Sequence, residues 1–440
     1  MIRRIINKLF HRHPGHIKGK LRSIPASEHG LRAQSISPCA LRVIKTLQDN
    51  GFQAFVVGGA VRDLLLGIPP KDFDVATNAT PDQIRRLIRR SRIIGRRFQI
   101  IHVPCQNEIV EVTTFRGHAT HESHSQTDEQ GRLTRDNVFG TLDEDAARRD
   151  FNANALYFDP VHHTLLDFFN GRSDIAARRL VMIGDPVTRF REDPVRLLRA
   201  IRFAAKLNFT LDPALVTPLR ELGNLLDPIP ESRLFDELVK LLLCGHAATC
   251  LTLLREYNLH RRLLPLLDQC LSTPQDQELL QRALANTDER WHQNKPLSPG
   301  FLLAALLWPA VRHEWEIRCA RGTPLYPALF EAADAILEQQ RRTLPIPHRF
   351  DGGMKEIWAM QPRFLQRNGQ RPMRLLEHPR FRAGFDFLVL RAASGEVETA
   401  LAEWWERFQN TPADHREPLL THEPRQPRRR RRHRSPVSST

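Results

Sequence analysis

The stretch Val57-Gly58-Gly59-Ala60-Val61-Arg62-Asp63-Leu64-Leu65-Leu66-Gly67, followed by Lys71-Asp72-Phe73-Asp74-Val75, decides how this chain is read. Ala54 to Val57 is a short apolar run stopped by two glycines, the pattern of a buried strand ending in a tight turn, and Val61 to Leu66 opens a helix. A Gly-Gly turn running into a helix brings backbone N–H groups close to a phosphate, which larger residues would hold off. Asp72 and Asp74 stand at i and i+2 on an expected strand around 72–75, so both carboxylates face one side and Phe73 turns into the core. Carboxylates gathered in this way repel one another unless a cation lies between them, and hard oxygen ligands suit Mg²⁺. Taken alone, two aspartates one residue apart are ordinarily a solvated strand end. Joined to the upstream turn at this spacing, they point to two-metal phosphoryl or nucleotidyl transfer. The absence of any GxxxxGK[ST] string argues against a P-loop kinase or ATPase.

Outward from this segment, residues 38–50 (Pro38, then Leu41, Val43, Ile44 and Leu47) read as a helix leading into the first strand. Asn78 to Pro81 form a turn and N-cap before a basic helix from Asp82 to about Arg90, and strands are expected at 98–103 and 108–115. Residues 117–137 are polar, rich in His, Ser, Thr and Gln; so long a loop in a compact domain is functional or disordered. It holds His118, His121, Glu122 and His124, which lack the fixed scaffold of a metal site. From about 185 the pattern turns helical. Trp308, Trp358, Trp404 and Trp405 on the later helices read as core packing, and beyond about 411 the chain is a Pro- and Arg-rich tail.

The 440 residues are 41% apolar and 26% charged, an ordinary balance for a folded soluble protein. The longest apolar run, Phe301 to Val311, is far short of the ~20 residues of a membrane span, and no secretory signal pattern is present. Six cysteines without a CxxC pair argue against a disulfide scaffold or a Cys-based zinc site and fit a cytoplasmic protein. The net charge of +15 sits almost wholly in two arms: residues 1–35 and 425–440 carry +7 each, leaving a nearly neutral body. Such arms suit a polyanion, and for Arg428, Arg429, Arg430, Arg431 and Arg432 a nucleic acid is the preferred partner. Met1 to Phe10 also suit weak peripheral membrane contact.

The Gly-Gly turn with its paired aspartates resembles the signature of class II nucleotidyltransferases, the bacterial poly(A) polymerases and tRNA CCA-adding enzymes of the polymerase-beta superfamily. The resemblance is close over about residues 35–245 and looser beyond. It implies an α+β chain: a polymerase-beta-like nucleotidyltransferase palm, with a mixed sheet and helices, followed by all-α neck and body domains. The expected divisions are a basic arm over 1–35, a catalytic palm over 36–180, a helical neck over 181–245, a helical RNA-binding body over 246–410 and the tail over 411–440. It also implies that Asp72 and Asp74 hold Mg²⁺ or Mn²⁺ and that Gly58, Gly59 and Arg62 meet the triphosphate. Ala60 stands where the polyadenylating branch commonly has a third glycine; the CCA-adding branch often has alanine there.

For a third catalytic carboxylate two residues compete. Glu111 lies on a strand that could present it beside Asp72 and Asp74; its plain alternative is an exposed strand residue. Asp150 lies in Arg148-Arg149-Asp150-Phe151, similar to the family motif RRDFTINA, which implies a catalytic place for Asp150 and nucleotide contact for Arg149 and Asn154. The motif departs after Phe151, reading Asn152-Ala153-Asn154-Ala155. Asp150 is preferred and Glu111 stays open.

Glu192-Asp193-Pro194-Val195-Arg196 opens a helix running to about Leu207, with Asp193 a good N-cap before proline at the first helical position. The string is also similar to the family's EDxxR protein template, which implies that Asp193 and Arg196 read the incoming base by hydrogen bonds. Arg199, Arg202 and Lys206 continue a basic stripe, read equally as RNA contact or as a solvated face. Pro230 to Glu237, with Arg233, resembles the last family motif, a structural one.

Ile94 to Val103, with Arg96 and Arg97, looks like the segment that separates poly(A) polymerases from CCA-adding enzymes, and the polar insertion and Arg-rich tail suit the same branch. The expectation is a monomeric enzyme that adds AMP from ATP to RNA 3′ ends without a template, releasing pyrophosphate. Its substrates would be mRNA, small regulatory RNA or tRNA, and its partners RNA-decay proteins. The alternatives are a CCA-adding enzyme using CTP and ATP, and a non-catalytic RNA-binding protein that keeps the fold.

Overall fold

A computed structural model describes residues 17–95, 99–106, 108–117 and 139–420. They form two compact units that meet in sequence between Arg262 and Leu263.

The first unit is built on an eight-stranded sheet of β1 (Arg22–Pro25), β2 (Ala54–Val57), β3 (Asp74–Thr77), β4 (Arg92–Ile94), β5 (Ile100–Pro104), β6 (Ile109–Thr114), β7 (Leu156–Asp159) and β8 (Thr164–Asp167). The spatial order is β1-β8-β7-β2-β3-β6-β5-β4. Only β3 and β6 run parallel, so the sheet is mixed, as the resemblance implied. Alternation sets its faces: Val110, Val112, Ile101 and Val103 are buried on one side, while Glu111, Thr113 and His102 on the other are half-buried.

Helix α1 (Pro38–Asp49) begins where Ser37 accepts the Ala40 N–H, with Pro38 in the first turn. Val43, Ile44 and Leu47 share one buried face, so α1 packs on β2 and β3. Helix α2 (Gly59–Leu65) follows β2 directly. Helix α3 (Pro81–Leu87) starts with a reciprocal Thr80–Gln83 capping box and packs on β4 and β5. After α4 (Leu142–Arg148) and the last two strands come α5 (Pro186–Glu192), α6 (Val195–Leu207) and α7 (Glu231–Leu242).

Several boundaries differ from expectation. The strand expected at 72–75 begins at Asp74, because its ladder with β2 starts at the Val57–Asp74 pair, and Asp72 lies in the preceding loop. The basic helix ends at Leu87 rather than near Arg90; Ile93 is then free to pair with Ile101 as the sheet edge. Within the expected arm over 1–35, Arg22–Pro25 pairs with β8 and belongs to the sheet. The helix Ala247–Glu256 packs on α6 and α7, so 246–262 belongs with the first unit and not with the body. Cys39 and Cys105 are joined, with Cα atoms 6.3 Å apart; at a sequence separation of 66, no local spacing announces the pair.

The second unit is helical. Trp308, Trp358 and Trp405 are fully buried and Trp404 nearly so, in keeping with a packing role. The expected tail boundary at 411 moves outward, since Trp404 donates to the Leu419 carbonyl and 413–419 form two short turns on the same unit. Glu396 is the buried acceptor here: it takes the Trp308 indole N–H at 3.0 Å, Arg391 at 2.8 Å and Arg312 at 3.3 Å. Arg312 reaches on to Asp276 and Arg391 to Gln361, linking four helices. Glu396→Gln keeps an acceptor but leaves Arg391 without its carboxylate partner, so it should lower unfolding stability by about 1.5 kcal/mol in urea titration. Among the described residues no helix is long and apolar enough to cross a membrane.

Candidate active site

Where β2 ends, Gly58 adopts φ +74°, and an added Cβ would stand 3.2 Å from the Arg149 guanidinium. Both the backbone angle and the close approach call for glycine. The turn opens on a pocket of about 560 Å³ whose wall holds Gly58, Gly59, Asp72, Asp74, Asp193 and Arg196. The structure thus gathers segments that lie up to 140 residues apart in the sequence.

Asp74 is the strand residue next to Glu111 on β6, and Glu111 is in turn next to His102 on β5, so the three side chains stand on one face of the sheet. Burial, reinforced by Glu111 and Asp72 against a lesser pull from Arg149, pushes the Asp74 carboxyl up to about 6. Phe73 between the two aspartates is buried and is not part of the pocket wall. This crowding of acids is what a hard divalent cation relieves. Among the described residues no three His, Cys, Asp or Glu side chains form a ready cage. Mg²⁺ ordinarily takes one or two carboxylates and completes its shell with water and substrate phosphate.

Asp150 lines the same pocket but is bonded differently. Its Oδ1 accepts the Phe151 amide and the Asn154 amide, and its Oδ2 takes Arg199 at 2.6 Å. Burial alone raises this carboxyl, but Arg199 and the hydrogen bonds outweigh it and hold it below its ordinary value. Its oxygens are committed to protein donors, which makes it a clamp between the strand-side turn and α6. The amide of Ile183 closing on the Asp150 carbonyl fastens the same point.

Arg149 is fixed by Tyr157 (2.9 Å) and Asp145 (3.1 Å), while Tyr157 donates to Asp145 at 2.6 Å. Burial opposes the charge, yet Tyr157 and Asp145 raise the Arg149 affinity for its proton, keeping a permanent cation beside the glycine turn. Arg62 is buried, donating to Asn154 at 2.6 Å and to Asp63. Asn152, at the departure from the family motif, donates to Asp174.

Asp193 does not cap α6. Its side chain makes no cap bond; Oδ2 pairs with Arg233 at 2.9 Å and Oδ1 is buried without a hydrogen-bond partner among the described residues. The extended backbone at Asp193 (φ −146°) ends α5 and turns the carboxylate into the pocket. Arg196 is anchored by the Arg189 carbonyl and Glu192. Arg199, Arg202 and Lys206 all line the pocket and are half-buried. Burial and the neighbouring Arg62 and Arg202 lower the Lys206 ammonium below its usual range, with Asp63 opposing.

Sequence reasoning missed Arg189, Arg233, Phe203 and the Asp145–Tyr157 pair. Arg189 is almost fully buried and donates to the carbonyls of Arg148 and Arg149, stapling α5 beneath the Arg-Arg-Asp turn. Nothing local marks it. Arg233 did lie in a recognised motif, but its partner is 40 residues away. The three histidines with Glu122, and Arg96, Arg97 and Arg428 to Arg432, lie outside the described residues.

Comparison with known proteins follows the same lines. Residues 54–181 match the model "Poly A polymerase head domain", 208–271 "Probable RNA and SrmB- binding site of polymerase A", and 321–437 "Polymerase A arginine-rich C-terminus". Poly(A) polymerase I of Haemophilus influenzae is 43% identical over 91% of this chain and 91% of its own length. The chain belongs to the bacterial poly(A) polymerase I family. The Escherichia coli O157:H7 member is 42% identical over 94% of this chain and 91% of its own. A CCA-adding enzyme of Geobacillus thermodenitrificans matches at 37% over only 57% of this chain and 61% of its own. Among solved structures, the Bacillus stearothermophilus CCA-adding enzyme in complex with CTP covers 84% of this chain and 82% of its own, with TM-score 0.56 and 26% identity. The family thus shares its fold with CCA-adding enzymes while sequence places this chain in the polyadenylating branch.

Proposed function

We propose that this pocket transfers AMP from ATP to the 3′-hydroxyl of RNA without a template, releasing pyrophosphate. The observation that carries the reading is the convergence of Asp72, Asp74, the Gly58 turn and Asp193, whose buried Oδ1 has no hydrogen-bond partner among the described residues, on one cavity. Asp72 and Asp74 would hold Mg²⁺ or Mn²⁺, which when bound supplies an activated hydroxyl and charge neutralisation at phosphorus. Glu111, beside Asp74 and, among the described residues, with only the His102 ring nitrogen against it at 3.4 Å, suits the third carboxylate. Asp150 then serves as a positioning residue, against the preference drawn from its motif.

Gly58, Gly59 and Arg149 cradle the triphosphate through backbone N–H groups and one fixed cation, and Arg62 with Asn154 sets the turn's shape. Asp193 accepts from the adenine amino group while Arg196 stands by as donor; GTP and UTP would bring a carbonyl against the carboxylate. Asp193→Ala should lower the preference for ATP over GTP about tenfold to a hundredfold, roughly 1–3 kcal/mol, in competition assays. An unchanged preference would remove Asp193 from base selection.

The neck arginines Arg199 and Arg202 with Lys206, and the Arg428 to Arg432 run, supply the positive charge for the RNA strand. The protein acts in the cytoplasm as a monomer on mRNA and small regulatory RNA ends, marking them for decay proteins. Primer extension tests the reading, using a short labelled RNA, a CCA-less tRNA, and ATP or CTP separately with Mg²⁺. A long ladder with ATP alone on the plain RNA is expected. Completion of a triplet confined to the tRNA would transfer the chain to the CCA-adding activity, and RNA binding without extension would leave only a binding protein.

A further inference from the structure

A nucleotidyl transfer needs the attacking and leaving oxygens roughly in line through phosphorus. On the reading above, the leaving pyrophosphate lies on the β2–β7 side of Asp74, against the Gly58 turn and Arg149. The nucleophile must then reach Asp74 from the opposite side, where the sheet continues through β6, β5 and β4. The register makes that side a continuous row: Asp74 beside Glu111, Glu111 beside His102, His102 beside Arg92. All four stand on the same face, and Glu111, His102 and Arg92 all keep access to solvent.

The end of that row is strongly basic. Arg85, Arg86, Arg89, Arg90 and Arg92 are all exposed within eight residues, and Asp82 is the only acid between Pro81 and Gly95. Among the described residues none of the five has a carboxylate partner, although most arginines lining the pocket are ion-paired. Five unpaired guanidiniums on one short segment repel one another, a cost that a polyanion removes. Arg85 and Arg86 lie on α3, which packs on β4 and β5, and Arg92 opens the edge strand β4, so the segment runs from that helix through Arg89 and Arg90 to the face that carries the carboxylates.

We propose that the RNA strand bearing the 3′-hydroxyl enters across the open face of β4–β5–β6, with Arg89, Arg90 and Arg92 neutralising phosphates a few nucleotides upstream of its end. This path rests on the adenylyltransferase reading of the same site. The occupant is a single RNA strand, since the row ends at the reacting centre and the arginines present charge without a shaped pocket for side chains. His102, between Arg92 and Glu111, guides the terminal nucleotide by contact.

The test is steady-state extension of an oligo(A) 15-mer by the full chain, with ATP saturating and the primer varied. Arg89→Gln/Arg90→Gln/Arg92→Gln should raise the primer KM about tenfold while the KM for ATP stays within twofold. The dependence of log primer affinity on log salt should become shallower by about 2, at roughly 0.7 per lost single-strand phosphate contact. Arg89→Lys/Arg90→Lys/Arg92→Lys keeps the charges and should return the primer KM to within threefold of the parent, which separates lost contact from lost folding. If the parent extends the primer and the Gln variant has an unchanged primer KM and salt slope, the path is wrong while the adenylyltransferase reading stands. A Lys variant as impaired as the Gln variant would also overturn it, since phosphate neutralisation tolerates either cation. A parent that fails to extend the primer would refute the underlying reading itself.

Discussion

Replacing Asp74 with asparagine is expected to lower kcat for AMP addition by a thousandfold or more, about 4 kcal/mol of transition-state stabilisation, with RNA binding retained. The substitution removes the carboxylate proposed to hold the metal, at the point where β3 presents its first residue to the pocket, without touching the apolar side of the strand. The same change should stabilise the protein when no divalent cation is present. Burial with Glu111 and Asp72 nearby raises the Asp74 carboxyl from 3.8 to about 6, so the folded state holds this proton more tightly than the unfolded chain does. Its penalty is therefore absent below pH ~4, grows between ~4 and ~6 and is complete above ~6. Because Asp74 is open to the pocket, solvent screening reduces the cost to about 1 kcal/mol. Thermal melts at pH 8 in chelator should show Asp74→Asn about 2 °C above the parent, a difference that vanishes near pH 4. Added Mg²⁺ should raise the parent and not the variant. A variant that extends RNA at the parental rate would take Asp74 out of the chemistry.

Asp150→Ala should cost about 3 kcal/mol of stability and most of the activity together. It deletes the acceptor of Arg199, Asn154 and the Phe151 amide, and leaves the half-buried Arg199 guanidinium beside Phe203 without its ion-pair partner. Because the Asp150 carboxyl is held below its ordinary value, its contribution is full above pH ~4 and is lost as pH falls through the lower folded value. The Asp150→Ala penalty should accordingly shrink in urea titrations below pH ~3.5. The comparison with Glu111→Gln separates the two acids. Loss at Glu111 should fall on kcat with stability unchanged, whereas Asp150→Asn, which keeps the shape and part of the bonding, should recover activity that Asp150→Ala loses. If Asp150→Asn is as inactive as Asp74→Asn while melting like the parent, Asp150 is a metal ligand and Glu111 is not.

Much of the site was legible because it is local. The Gly58 turn, the alternation around Phe73 and the run from Glu192 to Arg196 each announce themselves within a few residues, and period-two patterning marked β5 and β6. The strands β1, β7 and β8 were not legible. β1 is a four-residue edge with one half-buried side chain, so its identity comes from pairing with β8 and not from its own composition. Asp193 shows the opposite failure: Asp before Pro is a strong local capping signal, and the Arg233 ion pair overrides it.

By itself the chain determined its chemistry class, the α+β to all-α order and the concentration of charge, since these depend on residue types and short spacings. The tertiary structure alone decided which carboxylate stands beside Asp74. Glu111 lies 37 residues from Asp74 and Asp150 lies 76, and neither separation favours one over the other. Strand register carries Glu111 to the side of Asp74, while Arg199, reaching from α6, ties down one oxygen of Asp150. Register and long-range ion pairs belong to the folded assembly of elements, and no window of sequence contains them.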